Sequence, residues 1–304
     1  MAKKSNQKRR QTAKDITYTK GANDCPSPSG TLMLIGGKES KEADPEDEIR
    51  DKNKQPLEVL KTFLDTIGKK NPTIELVTTA STGGEESYRD YKKVFSELGV
   101  ENIGHIHHTE RKQILEDNLE ERIKNADAFF FAGGDQLKYT SIYGGSLFLT
   151  LLKERYINDK IVIAGTSAGA MALSTPMIYA GNEEVHEITG AIKITTGLEF
   201  LKDVCVDTHF VNRGRFVRMA QVIVTNPTCI GLGIDENTAL IVRNGLEAEV
   251  VGSGIIIVID GFHIATSNIV DFAEKNAMSI RDLKVHMLVR GDKYNIPQAN
   301  PPHK

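Results

Sequence analysis

Cysteine is scarce in this chain, charge of one sign does not dominate, and long apolar runs are missing. The three cysteines, Cys25, Cys205 and Cys229, follow no metal-ligand spacing and cannot build a disulfide framework. A reducing, cytoplasmic setting is therefore expected. No apolar run approaches the ~20 residues that span a bilayer, so a membrane-spanning helix is not expected. A formal net charge of -3 argues against a nucleic-acid binder whose affinity rests on counterion release. Tryptophan is absent, yet 39% of the residues are hydrophobic and 26% charged, the composition of a soluble globular protein. With 304 residues the chain is long enough to bury a sizeable core.

What is there falls into three stretches. Residues 1–29 are basic and then rich in turn formers, with no apolar region behind the basic start. They read as a poorly ordered tail and not as a signal peptide. Residues 30–295 read as a single α/β domain, and residues 296–304, "IPQANPPHK", as a frayed end. Within the domain, "TLMLI", "TIELVTTAS", "NIGHIHH", "DAFFFA" and "KIVIAGT" are apolar strands that alternate with helical patterns. One helix is expected across 111–126 and another across 137–159. Such alternation implies a mostly parallel central sheet covered on both faces, a three-layer sandwich. Ligands bind such sheets beyond the carboxyl ends of the strands. Gly36-Gly37, Gly133-Gly134 and the turn from Gly165 to Gly169 all stop strands at that end. Beyond about residue 180 the pattern blurs into strands, some of them antiparallel.

The turn reads "GTSAG", a G-x-S-x-G between a buried strand and a helical run of small residues. That is the nucleophile-elbow pattern, in which small neighbours allow the sharp turn and the helix start supplies N–H donors. A packing turn that merely needs tiny residues would read the same way. A serine nucleophile needs a base, and the base an orienting acid. Of eight histidines, His105, His107 and His108 crowd one short strand and suit an exposed edge. His186 lies in the acidic segment "NEEVHEI", and His263, His286 and His303 lie near the far end. His209 closes the apolar strand "VCVDTHF", where a base belongs, although a satisfied strand-end histidine looks identical. For the acid, "GLGIDENTALIV" offers Asp235 and Glu236, residues that equally suit a hairpin turn. Arg213, Arg215 and Arg218 follow His209 and suit bidentate carboxylate binding or a solvated face. Gly36-Gly37-Lys38 lacks the Walker spacing and opens no helix, which disfavours a phosphate loop.

Taken in order, "LMLIGGKESK", "FFFAGGDQ", "IAGTSAGA", "VDTHFVNRGRFVR" and "GLGIDENTAL" resemble the cyanophycinase family of serine exopeptidases, whose wider family includes aspartyl dipeptidases. The resemblance runs from about residue 31 to 260 and implies a class I glutamine-amidotransferase-like fold. It implies Ser167 as nucleophile, His209 as general base and Glu236 as orienting acid, a chain order unlike that of α/β-hydrolases. It further implies an oxyanion hole from the N–H groups of Gly134 and Ala168. Substrate contacts would come from Gln136, Thr208, Arg213, Arg215 and Arg218.

The substrate so implied is cyanophycin, a polyaspartate bearing arginine on each β-carboxyl, or a related β-aspartyl peptide, with β-Asp-Arg as product. Its guanidinium needs an acid partner, and Asp207 is the candidate. The family pattern D-Q-H-F-x-x-R-x-R-x-x-R is met at every fixed position but one: Thr208 stands where the family has glutamine. A short hydroxyl in place of an amide bears on side-chain preference and leaves the triad intact. A homodimer is implied, and no metal or organic cofactor, since acyl transfer by serine, base and oxyanion hole needs none. The competing expectations are an aspartyl dipeptidase acting on α-Asp-X and a non-catalytic binding module on the same fold.

Overall fold

The apolar run ahead of the first glycine pair, Thr31–Ile35, forms β1 near the middle of an eight-stranded sheet. The computed structural model describes residues 27–42, 57–181, 192–270 and 277–297. After β1 the chain runs through α1 (Glu58–Ile67), β2 (Thr73–Val77), α2 (Gly84–Glu97), β3 (Asn102–Ile106) and α3 (Leu119–Asn125). It continues with β4 (Ala128–Phe131), α4 (Gln136–Tyr143), α5 (Leu147–Asn158), β5 (Val162–Thr166) and α6 (Ala168–Ala172). Next come the short strands β6 (Ser174–Thr175), β7 (Met177–Ala180), β8 (Lys193–Thr195) and β9 (Leu201–Lys202), then β10 (Val204–Thr208) and α7 (Phe216–Thr225). The remainder is strand: β11 (Ile230–Ile234), β12 (Thr238–Arg243), β13 (Glu247–Gly252), β14 (Ile256–Asp260), β15 (Thr266–Ser267), β16 (Ile280–Arg281), β17 (Lys284–Leu288) and β18 (Lys293–Asn295).

The large sheet has the order β18-β13-β12-β1-β5-β4-β2-β3. From β1 to β3 its strands are parallel, while β12, β13 and β18 join antiparallel. Its strands read as continuous apolar runs because both faces are buried. Met33, Ile35 and Phe130 pack under α1 and α2, against Phe63, Tyr91 and Phe95. Leu32, Leu34, Phe129 and Phe131 point the other way, into a core shared with Tyr139, Phe148 and Leu152 of α4 and α5. The mixed α/β class with a large, mostly parallel sheet is as expected.

A second sheet was not legible. It has six strands in the order β17-β14-β11-β10-β6-β9, and Val206, Leu232 and Val258 share the core beneath the large sheet. Helix α7 closes its outer face through Met219, Val222 and Ile223. Both faces of β10, β11 and β14 are therefore buried, so no period-2 alternation marks which sheet each strand joins. "GLGIDENTALIV" is consequently no hairpin: β11 and β12 lie in different sheets, and Asp235–Asn237 cross between them. The helix expected across 137–159 is two helices, parted at Gly144-Gly145, with Ser146 capping α5. The one expected across 111–126 splits into a 3₁₀ turn, Arg111–Leu115, and α3. The tail at 1–29 and the end at 296–304 fall almost entirely outside the described residues.

Four strand ends converge. Parallel pairing sets Ile35 beside Thr166 at the ends of β1 and β5, and Thr208 beside Ile234 at the ends of β10 and β11. The turn after β1 then joins the two sheets: Ser167 N–H donates to Ile35 O (3.0 Å), His209 N–H to Gly36 O (2.9 Å) and Asn237 N–H to Gly37 O (2.9 Å).

Candidate active site

Ser167 sits at the start of α6 with φ 51° and ψ -118°, a backbone that L-residues adopt only under constraint. The constraint is close packing on both sides. A Cβ on Gly165 would come 2.6 Å from Gly169 C, and one on Gly169 would come 2.1 Å from Phe131 O. These contacts are the reason for the flanking glycines.

The strained turn lifts Ser167 Oγ to 3.0 Å from His209 Nε2. On the other side of the ring, His209 Nδ1 lies 2.7 Å from Glu236 Oε1. With the Nδ1 proton donated to the carboxylate, Nε2 is left as acceptor for the serine hydroxyl. His209 also has positive φ, 50°, and the ring rests on Gly37: a Cβ there would come 2.4 Å from Cε1 and 2.5 Å from Nε2. Gly37→Ala is thus expected to push the imidazole off line and lower kcat on the order of 10²-fold, the usual cost of an ångström of misplacement. Steady-state kinetics beside a melting curve checks this; full activity in the variant contradicts it.

Burial lowers the basicity of His209, its hydrogen bond to Glu236 opposes that, and the charges of Arg213 and Arg215 add to the lowering, leaving the imidazole below its ordinary pKa. For Glu236, burial raises the pKa but is outweighed by the hydrogen bonds and charges of Lys38 and His209, so the carboxyl lies below its ordinary range. A neutral imidazole beside an ionised carboxylate is the state a serine nucleophile requires.

Beside Ser167 opens a cavity of about 190 Å³, lined by Gly134, Gln136, Ala168, Thr208 and the three arginines together with residues of β7. The Ala168 N–H, at the first helical position, has no acceptor within its helix. Among the described residues the Gly134 N–H meets no backbone acceptor. Gln136 donates Nε2–H to Ile178 O (2.8 Å). The buried Thr208 Oγ1 has no hydrogen-bond partner among the described residues. Arg213 is exposed at the rim. A larger hollow, about 650 Å³, lies around Leu115 and Leu147 and touches none of these groups. Among the described residues no three His, Cys, Asp or Glu side chains cluster as a metal site.

Asp207 corrects an expectation. Its side chain is fully buried, and its carboxylate takes bonds from Arg218 Nε (2.6 Å) and NH2 (2.5 Å), Arg215 NH1 (3.0 Å) and the Thr208 N–H (2.9 Å). With its lone pairs so committed, it is a foundation for two arginines and does not face a substrate guanidinium. Of the crowded histidines, His105 does lie on β3, the edge strand of the large sheet, whereas His108, past the end of that strand, is buried. It bonds Tyr143 Oη (2.9 Å) and Asp117 Oδ2 (2.9 Å). His186 lies outside the described residues.

Lys38 escaped sequence reasoning, as did Glu39, whose buried carboxylate bonds Tyr91 Oη and Thr166 Oγ1 and so pins the glycine turn to β5. "GGKE" marked a strand end, but nothing local told that it bridges three distant segments.

A serine in hydrogen-bond reach of an imidazole, itself bonded to a carboxylate, is the equipment of a serine-type hydrolase. Comparison with known proteins narrows that class to a serine-type peptidase. Residues 49–250 match Peptidase family S51, and the chain belongs to that family. It is 29% identical to the cyanophycinase of Synechococcus elongatus over 90% of this chain and 82% of that one. To the cyanophycinase of Geminocystis herdmanii it is 27% identical, over 87% and 93% of the respective chains. The fold is similar to that of a peptidase from an acI-B1 Actinobacterium, with a TM-score of 0.58 at 22% identity, covering 89% of this chain and 98% of that one.

Proposed function

We propose that this peptidase hydrolyses cyanophycin, or a closely related β-aspartyl polymer, to β-Asp-Arg dipeptides through an acyl-enzyme on Ser167. The observation carrying the mechanism is the unbroken chain from Ser167 Oγ through His209 to Glu236, at 3.0 and 2.7 Å. In this reading His209 Nε2 takes the hydroxyl proton as Oγ attacks the scissile carbonyl. The N–H groups of Gly134 and Ala168 receive the oxyanion. The imidazolium, held by Glu236, then protonates the leaving amine, and water repeats the sequence to release the acyl group. The cationic cavity suits a substrate rich in carboxylates, with Arg213, Gln136 and the Thr208 hydroxyl as its polar contacts and Arg215 and Arg218 held in place by Asp207. The similarity to two cyanophycinases over most of the chain supports the substrate class.

Incubation with purified cyanophycin followed by mass analysis is expected to give β-Asp-Arg as the principal product. Turnover of Asp-Leu with no release from cyanophycin would replace this substrate by α-aspartyl dipeptides. We further propose a cytoplasmic setting, in keeping with the sparse cysteines, and a homodimer, on the family resemblance alone. Among the described residues no helix is long and apolar enough to cross a membrane. Sedimentation of the purified protein at twice the chain mass is the expected result.

A further inference from the structure

Glu236 serves an imidazole and an ammonium with one oxygen. Its Oε1 lies 2.7 Å from His209 Nδ1 and 2.9 Å from Lys38 Nζ. Lys38 reaches that oxygen from a turn whose backbone is left-handed at two successive residues, Gly37 at φ 98° and Lys38 at φ 44°. Positive φ is ordinary for glycine and unusual for lysine, so the surroundings must hold it there. They do so on both sides: Asn237 N–H donates to Gly37 O (2.9 Å), and Ser40 N–H donates to Asn237 Oδ1 (3.0 Å). The turn that seats the imidazole therefore also places the ammonium.

We propose that Lys38 is a positioning residue that fixes the Glu236 carboxylate and shares its charge with His209, so that the imidazole remains an acceptor into more acidic solution. The proposal rests on the reading of Ser167 as nucleophile. The physical argument is competition for a single acceptor. A carboxylate bonded only to imidazole stabilises the imidazolium fully, which favours protonation of the base before substrate arrives. A second cation on the same oxygen draws off part of that stabilisation and leaves the orienting bond in place. The other charged groups around the ring have separate duties. Arg213 and Arg215 face it from the loop after β10, and the Asp207 carboxylate is committed to Arg215 and Arg218. Glu39, on the same turn, is held by Tyr91 and Thr166. Asp235 lies beside Glu236 on the crossover, with its Oδ1 buried. Among the described residues, Lys38 is the only cation within ion-pair distance of Glu236, whose other partner is the His209 imidazole.

The test is the pH dependence of Ser167 labelling by a fluorophosphonate probe, which needs a neutral His209 but not the natural substrate. Removing the ammonium in Lys38→Met is expected to move the acid limb up by about half a pH unit, the scale of coupling in an exposed ion pair. That makes labelling about twofold slower at the midpoint of the limb and about threefold slower well below it. Lys38→Gln, which keeps reach but not charge, is expected to shift likewise and serves if Lys38→Met folds poorly. Lys38→Arg is expected to keep the wild-type limb. A merely structural role would lower stability or the plateau rate and leave the limb in place, and an unmoved limb in folded Lys38→Gln overturns the proposal. Absence of any labelling in the wild type would instead overturn the nucleophile reading, and this inference with it. Labelling without cyanophycin turnover would count against the substrate alone.

Discussion

Replacing Ser167 by alanine is expected to cut turnover of the peptide substrate by roughly 10⁴- to 10⁶-fold while the protein melts where the wild type does. The size follows from removing the one atom that forms the covalent intermediate in the proposed mechanism; what would persist is the small acceleration from binding and the proposed oxyanion donors alone. Stability should hardly change, because among the described residues Oγ has a single hydrogen-bond partner, His209, and alanine meets the same φ of 51° as serine. The paired readouts are product release by mass analysis and thermal unfolding. Substantial turnover by the folded variant would remove Ser167 from the chemistry.

The second large effect concerns stability. Asp207→Ala should destabilise the fold by about 3–5 kcal/mol, because it leaves buried guanidinium groups without their shared counter-charge. For a domain of this size that corresponds to a fall in Tm on the order of 10 °C. Asp207→Asn retains one acceptor and should fall between the two. Calorimetric melting decides the matter, and a Tm within a degree or two of wild type would show that the arginines find other partners. Loss of activity should accompany the loss of stability, since Arg215 and Arg218 line the cavity beside Ser167.

Much of this was readable in advance, for identifiable reasons. The parallel half of the large sheet announced itself because β1, β2, β4 and β5 are buried on both faces and stop at glycines or small residues. The elbow was legible because its geometry tolerates so few residue types around Ser167. His209 and Glu236 were ambiguous from their own surroundings, and only the joint family pattern distinguished them from a strand-end histidine and a hairpin turn. The second sheet stayed hidden because uniformly buried strands carry no signal of which neighbour they join. Asp207 was misassigned for a related reason. A lone aspartate near three arginines looks available in one dimension, and only the fold shows that α7 carries Arg218 back onto it. The pairing of Lys38 with Glu236 was not legible, because the two lie almost two hundred residues apart.

The glycine turn after β1 has a consequence for how such a protein changes over time. It is at once the seat of the imidazole and the stitch between two β-layers, so a mutation there cannot be filtered by function alone or by folding alone. On the proposed reading of the site, drift in substrate choice runs through the cavity wall, at positions such as Thr208, while the stitch stays as it is.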